Sequence, residues 1–542
     1  MKKIFHLLPT IILIIGLGTG CKKSFLDRPP IDQLTTGNFY NNDQEVLAAT
    51  TALYNIVWFD YNDKAFLAFG EARGGNLQSN DRTPYIQFAV SATDQSTLLP
   101  GYKSFYKIIS QSNLIMQNIY NSKGNVSEAV RNEALGECHF MRGLAYYYLV
   151  SNWGAVPIIY DNIAQLNDSV HRNTIESVWQ FIIRDFQYAV KYLPYQAAGQ
   201  GRINKWSAEG MLAKMYLTLA GYGRTEGNRN QTYLDSAKIL AGDVIHNSGM
   251  SLYPSYYGLF VSANNNSAHN NPESLFSLEW MPFNQPWGVN NSFQAYVAFE
   301  PKLTETGDGW GAAQGVSADV VRYYMAHPED SLRRKATCMF DGDYYPDLET
   351  DNGGLHYSVT SISNIKKYVI GSPKDNGGNG AFMAAYINTY MLRLAEVYLI
   401  YAEAILGNNA STTDPEALKY FNAVRQRAGL SPKTSITFDD IFQEKRAETI
   451  MEGEAWYDIL RWYYFAPQKA MDYVAHQDKG SYTIQYIPGT SNPRQYNVTY
   501  SPQYYPFTDQ TVYLPYPEQE LINAPSLNDP PVPFDFSKLP NY

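Results

Sequence analysis

Apolar residues recur along this chain at intervals of three and four, the spacing of a helix with one buried face. Val46, Ala49, Leu53 and Val57 form one stripe, and Phe105, Ile108, Ser112, Ile115 and Ile119 form a second. Val178, Ile182, Ala189 and Leu193 follow, then Ala208, Met211, Met215 and Leu219, then Leu234, Ala237, Ala241 and Val244. Met391, Ala395, Tyr398, Ala402 and Ile405 make a further stripe near the C-terminus. Short polar breaks join these segments in twos: "AEGMLAKMYLTLAGYG" with "YLDSAKILAGDVI", and "RLAEVYLIYAEAIL" with "PEALKYFNAVRQRAG". Ala417-x3-Phe421 fits the second helix of a tetratricopeptide repeat (TPR), although the Trp and Leu-Gly positions of that repeat are mostly absent. The pattern predicts a mostly α fold in which TPR-like helix pairs, with interruptions, form a scaffold.

Between the stripes the pattern fades, chiefly over 58–101, 250–384 and 473–542, where Asn, Gly, Pro and aromatics dominate, as in "EWMPFNQPWGVNNSFQAY". Loops this long are functional or disordered, and their Trp and Phe content argues against disorder. A large irregular, loop-rich lobe is therefore expected beside the helical half. The chain divides into a leader at 1–20, a helical region at 21–249, and a region at 250–542 holding the lobe and the closing helices. The last two are expected to form one compact unit.

The first twenty residues read differently. Lys2 and Lys3 precede a mostly apolar run from Ile4 to Leu17, too short for a spanning helix of ~20 residues but ordered like a secretory signal. Gly18, Thr19 and Gly20 then lead into Cys21. This resembles a bacterial lipoprotein signal in which Cys21 is acylated and becomes the new N-terminus. Gly18 stands where the usual pattern prefers Leu. An ordinary signal followed by an unrelated cysteine is the alternative. Two or more acyl chains would give a stable membrane anchor.

A net charge of −10 with no basic cluster disfavours nucleic acid. If Cys21 carries lipid, Cys138 and Cys338 remain, and Cys138 falls on a helical apolar stripe, which predicts a free buried thiol and no structural disulfide. The eight histidines show no metal spacing, and no Walker A loop or G-x-S-x-G elbow is present. The acidic run Asp341, Asp343, Asp347, Glu349 and Asp351 resembles a calcium loop, but Asn352 and Ser358 stand where an EF-hand needs Gly and Glu. A solvated loop is expected there, with a structural calcium ion as the alternative and no other cofactor. A glycosidase carboxylate pair need not be close in sequence, so an enzyme is unsupported and not disproved.

The stretch "QEKRAETIMEGEAWYDILRW", Gln443 to Trp462, carries a specific resemblance. Glu444, Arg446, Glu448, Glu452, Gly453, Trp456, Asp458, Arg461 and Trp462 match the signature of the SusD/RagB family of outer-membrane lipoproteins, with Ala455 replacing the usual Arg. "CKKSFLDRPP", "SNWGAVPIIY", "RLAEVYLIYAEA" and "FNAVRQRAGL" are similar to further landmarks, so the likeness spans nearly the whole chain after the leader. It implies a TPR-containing fold without catalytic activity, on the cell surface and lipid-anchored in the outer membrane. Such a protein would bind oligosaccharides and cap a SusC-like TonB-dependent barrel transporter. A TPR scaffold binding only the transporter, or a carrier of a non-sugar nutrient, is the alternative. The charged residues of the signature read as structural ion pairs. Sugar binding needs flat aromatic faces and planar polar side chains. Arg73, Asn76, Asn80, Asp81 and Tyr85 supply such groups in one tract, and Trp280, Trp287, Tyr296 and Trp310 in another. These candidates rest on composition and not on a matched motif, and core packing competes with ligand contact at each.

Overall fold

The computed structural model describes residues 39–165, 170–266, 271–282, 288–491 and 493–539. Cys21, the leader and Trp287 lie outside the described residues. Helix α1 (Asp43–Thr51) starts at Asn42, whose side chain accepts the Glu45 amide. The first apolar stripe does not continue as one α-helix. It passes through 3-10 turns at Ala52–Tyr54 and Ile56–Trp58, then through π-helical turns at Tyr61–Ala65 and Leu67–Ala72. The expectation of an irregular segment from residue 58 is thus corrected for its first half. A wider turn breaks the 3.6-residue template, and burial on nearly all sides removes the polar face that a periodicity search needs.

The main scaffold follows. α2 (Leu98–Asn121) packs on α3 (Glu128–Trp153), α3 on α4 (Ile175–Tyr192), α4 on α5 (Lys205–Gly221), and α5 on α6 (Gln231–Asn247). From Glu133 to Trp153 every residue of α3 is buried, so this helix is the axis of the half. Two shorter helices, α7 (Ala318–Ala326) and α8 (Ser331–Thr337), sit within the loop-rich lobe. The chain then returns to the stack: α9 (Leu394–Leu406) packs on α6, and α10 (Pro415–Arg427) on α9. α11 (Phe438–Thr449) packs on α9, and α12 (Ala455–Phe465) crosses back to α5 with α13 (Pro467–Ala475) beside it. The architecture is mostly α, and the stack of antiparallel neighbours has the TPR-like pairing read from the sequence. Ala417 and Phe421 are both fully buried in a small core shared by α9, α10 and α11. Met391 is corrected: it lies in a strand, and the last stripe begins only with α9 at Leu394.

Strands among the described residues pair in four short antiparallel ribbons. β1 (Leu77–Ser79) joins β3 (Gln314–Val316), β2 (Ser274–Leu278) joins β6 (Thr389–Arg393), β4 (Tyr344–Tyr345) joins β5 (Leu355–His356), and β7 (Ser481–Tyr486) joins β8 (Tyr496–Ser501). One hydrophobic core runs from Tyr40 to Leu539, across residue 250 without a break. Asparagine side chains staple the lobe: Asn291 donates to the Ile387 carbonyl at 2.7 Å, and Asn62 to Asn291 at 3.0 Å. The first satisfies a backbone carbonyl that a ladder would otherwise serve, and the second fixes the Asn291 side chain. Cys138 and Cys338 are both buried and free. Among the described residues no helix is long and apolar enough to cross a membrane.

Candidate functional site

The signature residues of α11 and α12 are spent on one another and on distant cations. Glu448 accepts from Arg393 at 2.9 Å and from Arg427, with Arg333 3.6 Å away. Glu452 takes two bonds from Arg393 at 2.7 Å and one from Lys367 at 2.9 Å. Glu444 binds Arg333 and Arg425, each at 2.7 Å. Arg461 reaches Glu403, and Asp458 takes Lys445 at 2.8 Å. All are buried. Burial would push the Glu448 carboxyl up, but Arg427, Arg393 and Arg333 overcome it and hold it down at about 2. Glu454, buried near Lys214 and Glu396, is pushed up to about 7. The cavity touching Glu452 and Glu454 measures about 10 Å³, room for at most one water. No substrate fits there, and the network reads as scaffold.

The surface offers something else. Trp310 and Phe382 are 46% and 53% exposed, unusual for rings of this size. The Trp310 ring lies 5.6 Å from Tyr296 and 5.8 Å from Phe382, tilted by 66° and 69°. Lys64 donates to the Tyr296 hydroxyl at 3.1 Å and pairs with Asp63 at 2.7 Å. Burial pulls Lys64 down, while Asp63 and Tyr296 outweigh it and keep the ammonium above its usual range. The tract "GDGWGA" sets the tryptophan. Gly309 has φ +103°, and a Cβ there would stand 2.6 Å from the Glu300 carbonyl oxygen. A Cβ on Gly311 would stand 2.5 Å from the Val297 backbone. The Trp310 amide donates to Ala295 and that of Gly311 to Ala298, both at 2.8 Å. Glycines on both sides thus let the backbone lie close while the indole points outward. Gln314, at the start of β3, donates to the exposed Asp81 at 3.4 Å, which places Asp81 four residues beyond the tryptophan along this backbone.

The structure therefore brings Tyr296 and Trp310 together and adds Phe382 and Lys64, which sequence reading missed, while Asp81 is joined to Gln314 further along the chain. The signal for Phe382 was its place after "GGNGA", a glycine run like the one around Trp310. Arg73, Asn76 and Tyr85 lie elsewhere. Asn76 is buried, donating to Glu71 and accepting from Arg446, each at 2.9 Å. Tyr85 is buried and donates to Asp94 at 2.7 Å. Arg73 is buried against the Trp456 ring at 3.7 Å. Asn80 is exposed. Trp280 is core, its indole N–H donating to Thr389 at 3.0 Å. The acidic run is divided among partners: Asp341 takes the Tyr486 amide, Asp343 pairs with Arg334, Asp347 takes the Tyr257 hydroxyl, Glu349 pairs with Lys302 and Asp351 with Lys374. Among the described residues no group of three His, Cys, Asp or Glu is placed to hold a metal ion.

The profile of the SusD family matches residues 272–532, and a profile described as starch-binding associating with outer membrane matches 28–217. A SusD-like protein of Bacteroides ovatus is 37% identical over 99% of both chains. A crystal structure solved with xylogluco-oligosaccharide is 36% identical and superposes with a TM-score of 0.82, covering 91% of this chain and 99% of that one. A laminarin-binding SusD-like protein, 21% identical, has a TM-score of 0.66 over 89% of this chain and 98% of its own, which speaks for the fold alone.

Proposed function

Because the chain belongs to the SusD/RagB family, we propose that it binds oligosaccharides on the Tyr296–Trp310–Phe382 face and hands them to a TonB-dependent outer-membrane barrel. The observation that carries this reading is the exposure of Trp310 and Phe382 in mutual contact. Large rings left in water on a monomer mark a binding surface, and flat faces suit the C–H groups of sugar rings. Lys64 supplies a donor and Asp81 acceptors for hydroxyls. In this reading Cys21 carries the lipid that holds the protein at the outer membrane, Trp287 adds a further ring, and no chemistry is performed on the glycan.

A neutral β-glucan fragment is the first ligand to try, given the relative solved with xylogluco-oligosaccharide. Two or three stacked rings at about 1 kcal/mol each, together with several hydroxyl hydrogen bonds, suit a dissociation constant of roughly 1 μM to 1 mM. Calorimetry against a glycan panel tests it. Trp310→Ala should weaken binding about fivefold or more with the helical circular dichroism unchanged. Release of reducing ends would favour a glycosidase. Absence of binding to every glycan, with transporter association intact, would favour a pure scaffold.

A further inference from the structure

A second cavity, of about 530 Å³, lies between residues 85–90, the end of α3, the start of α4 and the stretch 510–516. It shares no lining residue with the Tyr296–Trp310–Phe382 face. Its wall holds two cations, Arg73 and Arg172, with Tyr85, Trp153, Tyr513 and Tyr516, and no acidic side chain. That is notable in a chain of net charge −10.

The other deeply buried arginines face carboxylates: Arg142 meets Asp185, Arg229 meets Glu403, Arg333 meets Asp330, and Arg393 meets Glu273. Arg73 is 1% exposed, yet its partners are neutral, namely the Asn152 side-chain oxygen at 2.9 Å and the Val512 carbonyl. These occupy two of the five N–H donors of a guanidinium. Burial without a countercharge pulls Arg73 down to about 9, and the neighbours that oppose this are tyrosines. Arg172 donates through Nη2 to the Asp529 carbonyl at 2.8 Å, while its Nε is buried with no partner. A structural role for Arg73, stitching the 510–516 segment to α3, explains that residue alone. It leaves the second arginine and the open space unexplained.

We propose that this cavity is an oxyanion site, taking a carboxylate or sulfate carried on a sugar-sized ring. The planar guanidinium fork of Arg172 matches the paired oxygens of such a group, and the charge of Arg73 supplies the field. The tyrosine and tryptophan walls take the ring. The volume is that of a small-molecule site.

The test uses the chain with Cys21→Ser, titrated with sodium glucuronate and with glucose 6-sulfate at constant ionic strength, and with glucose as the neutral control. Binding to the folded state raises Tm saturably and changes the fluorescence of Trp153. The expected result is a saturable response to at least one anion and none to glucose. Glucuronate alone would mark a carboxylate site, and both would mark a general oxyanion site. Arg172→Ala should cost at least about tenfold in affinity, while neutral oligosaccharide binding is retained. Arg73→Met should weaken it as well, since it removes the charge that supplies the field while keeping a side chain of similar length, and Arg172→Ala decides if that variant does not fold. No response beyond that of sodium chloride, an equal response to glucose, or full affinity in Arg172→Ala would overturn the proposal. So would joint loss of anion and neutral-glycan binding in Arg172→Ala, because the two surfaces would then not be separate.

Discussion

Replacing Glu448 by Gln tests whether the buried network holds the closing helices to the stack. The substitution keeps the shape and removes one charge from a site where Arg393 and Arg427 donate to it and Arg333 stands near. A carboxyl held at about 2 in place of 4.5 stabilises the folded state by about 3 kcal/mol at neutral pH, since a tenfold change in proton affinity is worth about 1.4 kcal/mol. The sign follows from linkage. A depressed carboxyl contributes in full above its unfolded value and loses the contribution as pH falls toward its folded value. About 1 kcal/mol should survive at pH 3, and almost nothing below pH ~2. The figure agrees with the roughly 3–5 kcal/mol typical of breaking a buried pair. Equilibrium urea unfolding of both proteins, followed by tryptophan fluorescence from pH 7 to pH 3, gives the difference directly. Carboxylates outside this cluster titrate alike in both and cancel. A cost below about 1 kcal/mol at pH 7, or one unchanged between pH 7 and pH 3, would refute the reasoning.

Gly70→Ala should lower stability by about 1–3 kcal/mol, because a Cβ there would stand 2.2 Å from the Gly453 carbonyl oxygen; an unchanged urea midpoint would mean that these two backbones do not touch. In the Cys21→Ser chain, Cys138 and Cys338 should resist a thiol reagent until denaturant is added, since burial pushes the Cys338 thiol up to about 12 and raises Cys138 too. Rapid labelling of the native protein would contradict that. Trp310→Ala and Phe382→Ala together should cost less in glycan affinity than the sum of the single changes, because the two rings touch. Strict additivity by calorimetry would place them at independent subsites.

The scaffold was legible wherever a helix keeps one wet face. α4 and α6 show their stripes because solvent lies opposite the core; the burial of Cys138 was also read from such spacing, although α3 is enclosed all round from Glu133 onward. The segment 61–72 was not legible, for it is wound in π turns and enclosed on nearly every side. The tract "EARGGNLQSNDRTPY" misled for another reason. Its polar residues look like a surface loop, but their partners lie far along the chain. Glu71 accepts the Gly453 amide, Arg73 reaches Asn152 and Val512, and Asn76 meets Arg446. A single sequence shows that such groups are polar and not that they are satisfied from elsewhere. Trp310 could be named because its loop is rich in aromatics, yet its contact with Phe382 joins loops 72 residues apart and has no local trace.

The signature helices and the aromatic face are nonetheless one mechanical system. Glu452 holds Lys367 at 2.9 Å, and three residues earlier Asn364 donates to the Gly311 carbonyl at 3.0 Å and the Gln314 carbonyl at 2.8 Å. Those carbonyls belong to the backbone that carries Trp310. The network thus reaches the site through backbone positions, and the rings its cations meet are Tyr256, Phe260 and Tyr390 rather than those of the face. A site held this way keeps its aromatic side chains free to differ while their anchor points stay fixed, which is the arrangement a rigid scaffold with variable loops requires. It follows that changes in the network should move stability and the placement of Trp310 together, whereas changes of the rings should alter glycan affinity alone.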